Sequence, residues 1–218
     1  IILATPSKIS SKTDYIAQAV CYEDIDKKKI IIGANPHTAE LICKYFIQNA
    51  IWNPFEGWNL ISKPKNLDYK ADLYFEKNKQ ISIVEIKNVV CASYDPKKDI
   101  YGQKTRFHDY KTPFLRAGVY PYGELNQSYR GQKVVSERSI RQIDFMKKHK
   151  DKYKFFILFL VNRGDCEIFK PCWKIDPTYA KALISAQQCG ITIHAIKFNW
   201  TLSGCYFDKE LKIDLEEW

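Results

Sequence analysis

The chain has 218 residues, with 34 basic and 25 acidic side chains and a formal net charge of +9. The length suits one or two domains, and 45% hydrophobic beside 27% charged residues marks a folding sequence rather than a disordered one. The longest apolar stretch, Phe155 to Val161, is only strand length, so no membrane-spanning helix is expected.

The first residues have strand character, and residues 13–22 alternate apolar and polar as a half-buried strand does. Ile30 to Ile32 form a short strand ending at Gly33, and Asn35-Pro36 reads as a break. Thr38 is the expected N-cap of a helix to about Gln48, with Leu41, Ile42, Tyr45 and Phe46 at helical spacing. Residues 52–68 read as loop. Strands are expected at 70–76 and 81–88, the second with Ile81, Ile83, Glu85 and Lys87 on one face and Val84 and Ile86 on the other. Residues 93–134 show no period. Ser136 should cap a helix to about Lys148, with Ile140, Ile143 and Met146 on its buried side. Residues 153–161 read as a central strand buried on both faces, Asp176-Pro177 opens a helix to Cys189 ended by Gly190, and 191–198 and 211–215 are expected as further strands. Alternating strands and helices predict an α/β (α+β) fold with a mixed central sheet flanked by helices.

The charge is localised. Residues 93–154 hold 15 basic and 7 acidic side chains, and the rest of the chain is close to neutral. A basic stretch suits a polyanion, because each neutralised phosphate releases counterions. The window also interleaves Tyr94, Tyr101, Phe107, Tyr110, Phe114, Tyr120, Tyr122 and Tyr129 with cations, a combination that suits stacking on single strands. Seven cysteines without a CxxC pair read as thiols of a reducing, intracellular compartment, and the four histidines have no metal-ligand spacing. The chain starts at Ile1 rather than at methionine, which leaves room for a targeting segment before it. No feature sets an oligomeric state.

The chemistry-bearing pattern is Asp72 followed by Glu85-Ile86-Lys87. Glu85 and Lys87 share a strand face about 6.5–7 Å apart. If the two strands pair as a hairpin, Asp72 lies beside Glu85. Neighbouring carboxylates repel unless a cation neutralises them, and Mg²⁺ or Mn²⁺ needs only one or two carboxylates plus waters. Bound water becomes acidic, and an ammonium orients it, so Asp…Glu-x-Lys is a minimal kit for phosphodiester hydrolysis. The competing reading is a surface ion pair. In the helix after the basic window, Arg138 and Arg141 are three apart on one face, and Ser136 at its start offers a helix N-terminus, an arrangement that suits phosphate as well as a solvated face.

Five segments in order, IIGANPHTAELI (31–42), ADLYF (71–75), VEIKNV (84–89), VSERSIRQI (135–143) and the stretch 155–195 with Asp176-Pro177 and Tyr179, resemble the sugar fermentation stimulation protein A family. The resemblance implies a restriction-endonuclease-like core of the PD-(D/E)XK type in a DNA-binding family. It implies Asp72, Glu85 and the Ile86 carbonyl as ligands of Mg²⁺ or Mn²⁺, Lys87 as the group that positions the attacking water, and Arg138, Arg141 and Ser136 as contacts to nucleic acid. Residues 1–34 would be remnant strands of an N-terminal barrel of the oligonucleotide-binding (OB) type, and 35–218 the nuclease-like domain with a basic insertion at about 93–133. Three departures stand out: the barrel is nearly all missing, the segment 93–133 is long where the family has a short loop, and Ser139 and Glu40 stand where the family usually has glycine and asparagine. The expected function is DNA binding with a divalent-metal phosphodiester hydrolase site, the alternative a binding or regulatory protein on a nuclease fold that does not cleave. Nucleic acid, and no membrane, is the expected partner.

Overall fold

The computed structural model describes residues 1–7, 12–23, 28–94 and 116–218. Their elements are β1 (Ile2–Pro6), β2 (Tyr15–Glu23), β3 (Lys29–Gly33), α1 (Pro36–Gln48), β4 (Asn59–Ile61), β5 (Leu73–Lys77), β6 (Gln80–Val89), β7 (Cys91–Tyr94), β8 (Arg116–Tyr120), β9 (Gln127–Tyr129), β10 (Gln132–Val134), α2 (Glu137–His149), β11 (Lys154–Val161), β12 (Ile168–Pro171), α3 (Pro177–Gln188), β13 (Thr192–Thr201), β14 (Gly204–Glu210) and β15 (Lys212–Ile213).

The centre is a six-stranded mixed sheet in the order β14-β13-β11-β6-β5-β4, with β11 parallel to both neighbours and the other pairs antiparallel. The continuous apolar run of β11 follows from this place, because both of its faces are covered. On one face α2 and α3 bury Ile140, Ile143, Met146, Tyr179 and Leu183 against Ile83, Ile157 and Phe159. On the other, α1 packs Ala39, Cys43 and Phe46 against Val84, Ile86, Leu158 and Phe198. The alternation along β6 therefore holds, with Ile83, Glu85 and Lys87 toward α2 and Val84 and Ile86 toward α1. A second sheet, β15-β12-β8-β7, and two small antiparallel sheets, β1-β2-β3 and β9-β10, complete the described chain.

Three expectations are corrected. The cap of α1 is Asn35, not Thr38. Its side chain accepts from the His37 N–H at 3.0 Å, and Pro36, read as a breaker, is a first-turn residue whose missing N–H costs nothing there. Thr38 Oγ1 instead donates to Gln18 Oε1 at 2.7 Å, tying α1 to the N-terminal sheet. The loop 52–68 contains β4, and the aperiodic stretch 93–134 contains β8, β9 and β10. Strands of three residues are too short to show a period, and β8 is buried along most of its length, so neither alternates. Much of the predicted insertion, residues 95–115, lies outside the described residues. Its flanks, Tyr94 and Arg116, pair across the antiparallel β7–β8 ladder. Among the described residues no helix is long and apolar enough to cross a membrane.

Candidate functional site

The site is assembled by a hairpin. β5 and β6 are joined at Asn78-Lys79, with Lys77 paired to Gln80 and φ of 51° and 65° at the two central residues. This is a two-residue turn of the type whose twist matches the strands, and it fixes the register. Leu73 falls opposite Val84, so Asp72, one residue before the strand, arrives beside Glu85 and Ile86. Its N–H donates to the Val84 carbonyl at 3.2 Å, and its Oδ2 accepts from the Ile86 N–H at 2.6 Å. The preceding loop is pinned by Tyr74, whose hydroxyl donates to the Tyr69 carbonyl and accepts from the Ala71 N–H.

Glu85 is 3% exposed and fully engaged. Lys87 Nζ lies 3.1 Å from its Oε1, Gln142 Nε2 donates to the same oxygen, and the Tyr69 hydroxyl donates to Oε2 at 2.9 Å. Lys87 Nζ also donates to Gln142 Oε1 at 2.6 Å. Tyr69 is held by stacking on Phe145 of α2, with centroids 4.3 Å apart. Burial first, and then the Glu85 charge, push the Asp72 carboxyl up to about 6, against the lowering pull of the Ile86 N–H and Lys87. Burial, then Glu85, raises the Tyr69 phenol, which keeps it a hydrogen-bond donor.

These groups open into a cleft of about 360 Å³ whose wall includes Glu40, Asp72, Glu85, Lys87, Tyr120, Ser136 and Arg138. Ser136 caps α2 by accepting from the Ser139 N–H, and its hydroxyl joins Ser139 and Tyr120 in a chain of 2.8 Å contacts. Asp176, fully buried, caps α3 through the Tyr179 N–H and also accepts from the Val135 N–H, so the two helix starts are fastened together behind the cleft.

The structure thus brings Asp72, Glu85, Ile86, Lys87, Ser136 and Arg138 to one cleft, with Glu40 of α1 at its edge. It does not bring Arg141 there. Arg141 points outward and is paired with Glu137 at 2.7 Å, a contact between residues four apart on the helix. Arg130 pairs with Asp144, and Arg116, also counted in the basic window, is buried against Asp165. Of the tyrosines in that window, Tyr120 packs on Phe159 and Tyr179, Tyr129 bonds Asp144, and Tyr122 is exposed, while Tyr101, Phe107, Tyr110 and Phe114 lie outside the described residues. Gln142 and Tyr69 were not legible as site residues. They come from a helix and a loop distant in sequence, and the available hint was a polar residue on the apolar side of α2.

Among the described residues, no group of three or more His, Cys, Asp or Glu side chains could hold a metal ion. The donor set present fits a hard divalent ion all the same. Burial and then the Glu85 charge raise the Asp72 carboxyl to about 6, a strain that a cation would relieve, and such ions accept one or two carboxylates with the remaining positions left to water and phosphate oxygens.

Fold and site together define a restriction-endonuclease-like α/β domain with an Asp…Glu-x-Lys cleft. Residues 133–204 match the family model described as the sugar fermentation stimulation protein RE domain. A sugar fermentation stimulation protein homologue of Carboxydothermus hydrogenoformans is 36% identical over 78 residues, 36% of this chain and 34% of that protein. The homologue of Pelagibacter ubique is 28% identical over 88% of this chain and 70% of its own length. The first two curated relatives, that of Carboxydothermus and one from Pyrobaculum islandicum, are matched over only 34% and 27% of their lengths. The solved structure of Pyrococcus furiosus SfsA in complex with Ca²⁺ superposes with a TM-score of 0.70 at 23% identity, over 97% of this chain and 76% of that one, and supports the fold. These matches support the resemblance of this chain to the sugar fermentation stimulation protein family.

Proposed function

We propose that the protein binds nucleic acid, DNA in the first instance, and hydrolyses phosphodiesters at the cleft with a divalent metal. The carrying observation is the convergence of Asp72 and Glu85 beside Lys87, with Arg138 on the same wall. Asp72 and Glu85, with the Ile86 carbonyl, would hold Mg²⁺ or Mn²⁺, which supplies an acidified water and charge for the scissile phosphate. The Lys87 ammonium orients the attacking water and steadies negative charge on the phosphoryl oxygens. Arg138 and the Ser136 end of α2 grip the backbone without reading bases. That the Pyrococcus protein was solved with Ca²⁺, another hard, oxygen-seeking ion, is consistent with this reading.

The test is cleavage of supercoiled plasmid and of single-stranded oligonucleotides with Mg²⁺ or Mn²⁺. Wild type should nick or cut, and Glu85→Ala should be at least roughly 100-fold slower, the scale of losing a charge-stabilising group. One observation favours a second reading. Glu85 already has Lys87, Gln142 and Tyr69 as partners, so the cleft is electrostatically complete without a metal. A non-cleaving binder predicts no metal-dependent cut, with salt-sensitive DNA binding that survives Glu85→Ala and weakens in Arg138→Ala.

A further inference from the structure

Gln142 belongs to no acidic or basic motif, yet it touches both charged groups of β6. Its Oε1 accepts from Lys87 Nζ at 2.6 Å and its Nε2 donates to Glu85 Oε1. Chemistry fixes the amide's orientation. An ammonium has only donors and a carboxylate only acceptors, so a flipped amide would face donor to donor and acceptor to acceptor. Gln142 is buried and sits four residues after Arg138, one turn further along the helix face that lines the cleft.

We infer that Gln142 is a positioning residue that keeps the Lys87 ammonium in the cleft once Glu85 serves a divalent cation, an inference that rests on the metal-dependent reading above. Lys87 has two acceptors, Glu85 Oε1 at 3.1 Å and Gln142 Oε1 at 2.6 Å. A carboxylate neutralised by a dication no longer attracts an ammonium, and the dication itself repels it. Gln142 Oε1 is then the acceptor that retains Lys87. Being neutral, it does so without drawing the cation away from Glu85, while Nε2 of the same amide keeps the Glu85 carboxylate in its orientation. Leucine would fill the space with neither contact. Glutamate would keep an acceptor toward Lys87, while its other oxygen, set against Glu85 Oε1, would have to share a proton with it in place of the amide N–H.

The experiment uses Mn²⁺ as the probe and reads Lys87 directly. Mn²⁺ binding is followed by electron paramagnetic resonance. Lys87 acetylation by limiting N-hydroxysuccinimidyl acetate is followed by peptide mass spectrometry, with and without Mn²⁺. In wild type, Lys87 should stay protected in both conditions. In Gln142→Leu, Mn²⁺ should raise its modification roughly tenfold, the scale on which groups supporting a metal ligand act. Gln142→Glu should restore the protection, and it carries the test if the leucine variant does not fold. Equal Lys87 modification in wild type and Gln142→Leu with Mn²⁺ bound overturns the role of Gln142 and leaves the cation site standing. Loss of protection in a folded Gln142→Glu also overturns it. Failure of wild type to bind Mn²⁺ overturns the cation site and this role together.

Discussion

Asp72 carries a charge state whose consequence for stability has a definite sign. Its folded pKa is raised from 3.8 to about 6, so the folded protein binds this proton more tightly than the unfolded chain. The stabilisation is complete below about pH 4 and is lost as pH rises through 6. Asp72→Asn keeps an acceptor for the Ile86 N–H and carries no charge. In EDTA it should be more stable than wild type by roughly 2 kcal/mol at pH 8, allowing for partial solvent screening, and equal to it near pH 4. Denaturant unfolding of both proteins at the two pH values measures this, and a pH-independent difference would refute it. At Lys87 the expected effect is opposite. Lys87→Met leaves Glu85 buried without its cation and should cost about 3–5 kcal/mol. Adding Glu85→Gln should recover most of the loss, a coupling that a double-mutant cycle reads directly. Glu85 and Lys87 were legible in the sequence as a pair because strand alternation alone sets their relative placement, whereas Asp72 joins them only through the hairpin register. Gln142 and Tyr69 were not, because their contacts to Glu85 span 57 and 16 residues.

At the level of elements, the β5–β6 hairpin decides whether there is a site. Its turn holds Lys79, which has a Cβ, at a φ of 65°, a conformation that favours glycine. Lys79→Gly should therefore stabilise the protein by about 1 kcal/mol and leave the rate at the cleft unchanged; thermal unfolding beside a cleavage assay tests both. The caps of α2 and α3 were readable, since Ser136 and Asp176 stand directly before helical patterns. The start of α1 was misplaced by three residues because Pro36 signals both a break and a first turn. Arg138 and Arg141 looked equivalent at a spacing of three. In the helix, Arg141 turns out to Glu137, whereas Gln142, four residues on from Arg138, takes the inward place.

At the scale of the molecule, the charge of the described residues is less concentrated on the cleft than its sequence window suggests. Residues 133–154 hold eight basic and three acidic side chains, but Lys147, Lys148, Lys150, Lys152 and Lys154 lie at or beyond the end of α2 away from Ser136. At about 1.5 Å per residue, Lys147 and Lys148 in the last turn of the helix stand roughly 16–18 Å along it from Ser136, where they also favour the negative helix C-terminus. Among the described arginines of the window, Arg138 is the one that lines the cleft, so Arg138→Ala should weaken oligonucleotide binding and lower its salt slope by about one, while Arg141→Ala should change either little. One of the places that fasten the N-terminal sheet to the core is tight. Gly33 donates to the Asn162 carbonyl at 3.0 Å, and a Cβ there would lie 2.5 Å from carbons of the Trp200 ring, itself held by Asn162. Gly33→Ala should speed hydrogen exchange of the β2 and β3 amides by at least roughly tenfold while β6 and β11 stay protected. Unchanged exchange would mean that the sheet is held elsewhere.

The sequence by itself determined the alternating α/β plan, the burial of β11, the capping of two of the three helices, and the common face of Glu85 and Lys87, because each of these follows from local periodicity and end chemistry. Only the tertiary structure decided that Asp72 joins them, that Gln142 and Tyr69 enclose Glu85, and that Arg141 stays outside. Those outcomes depend on hairpin register and on which turn of a helix faces a sheet, and both are set by packing between segments that no local pattern connects.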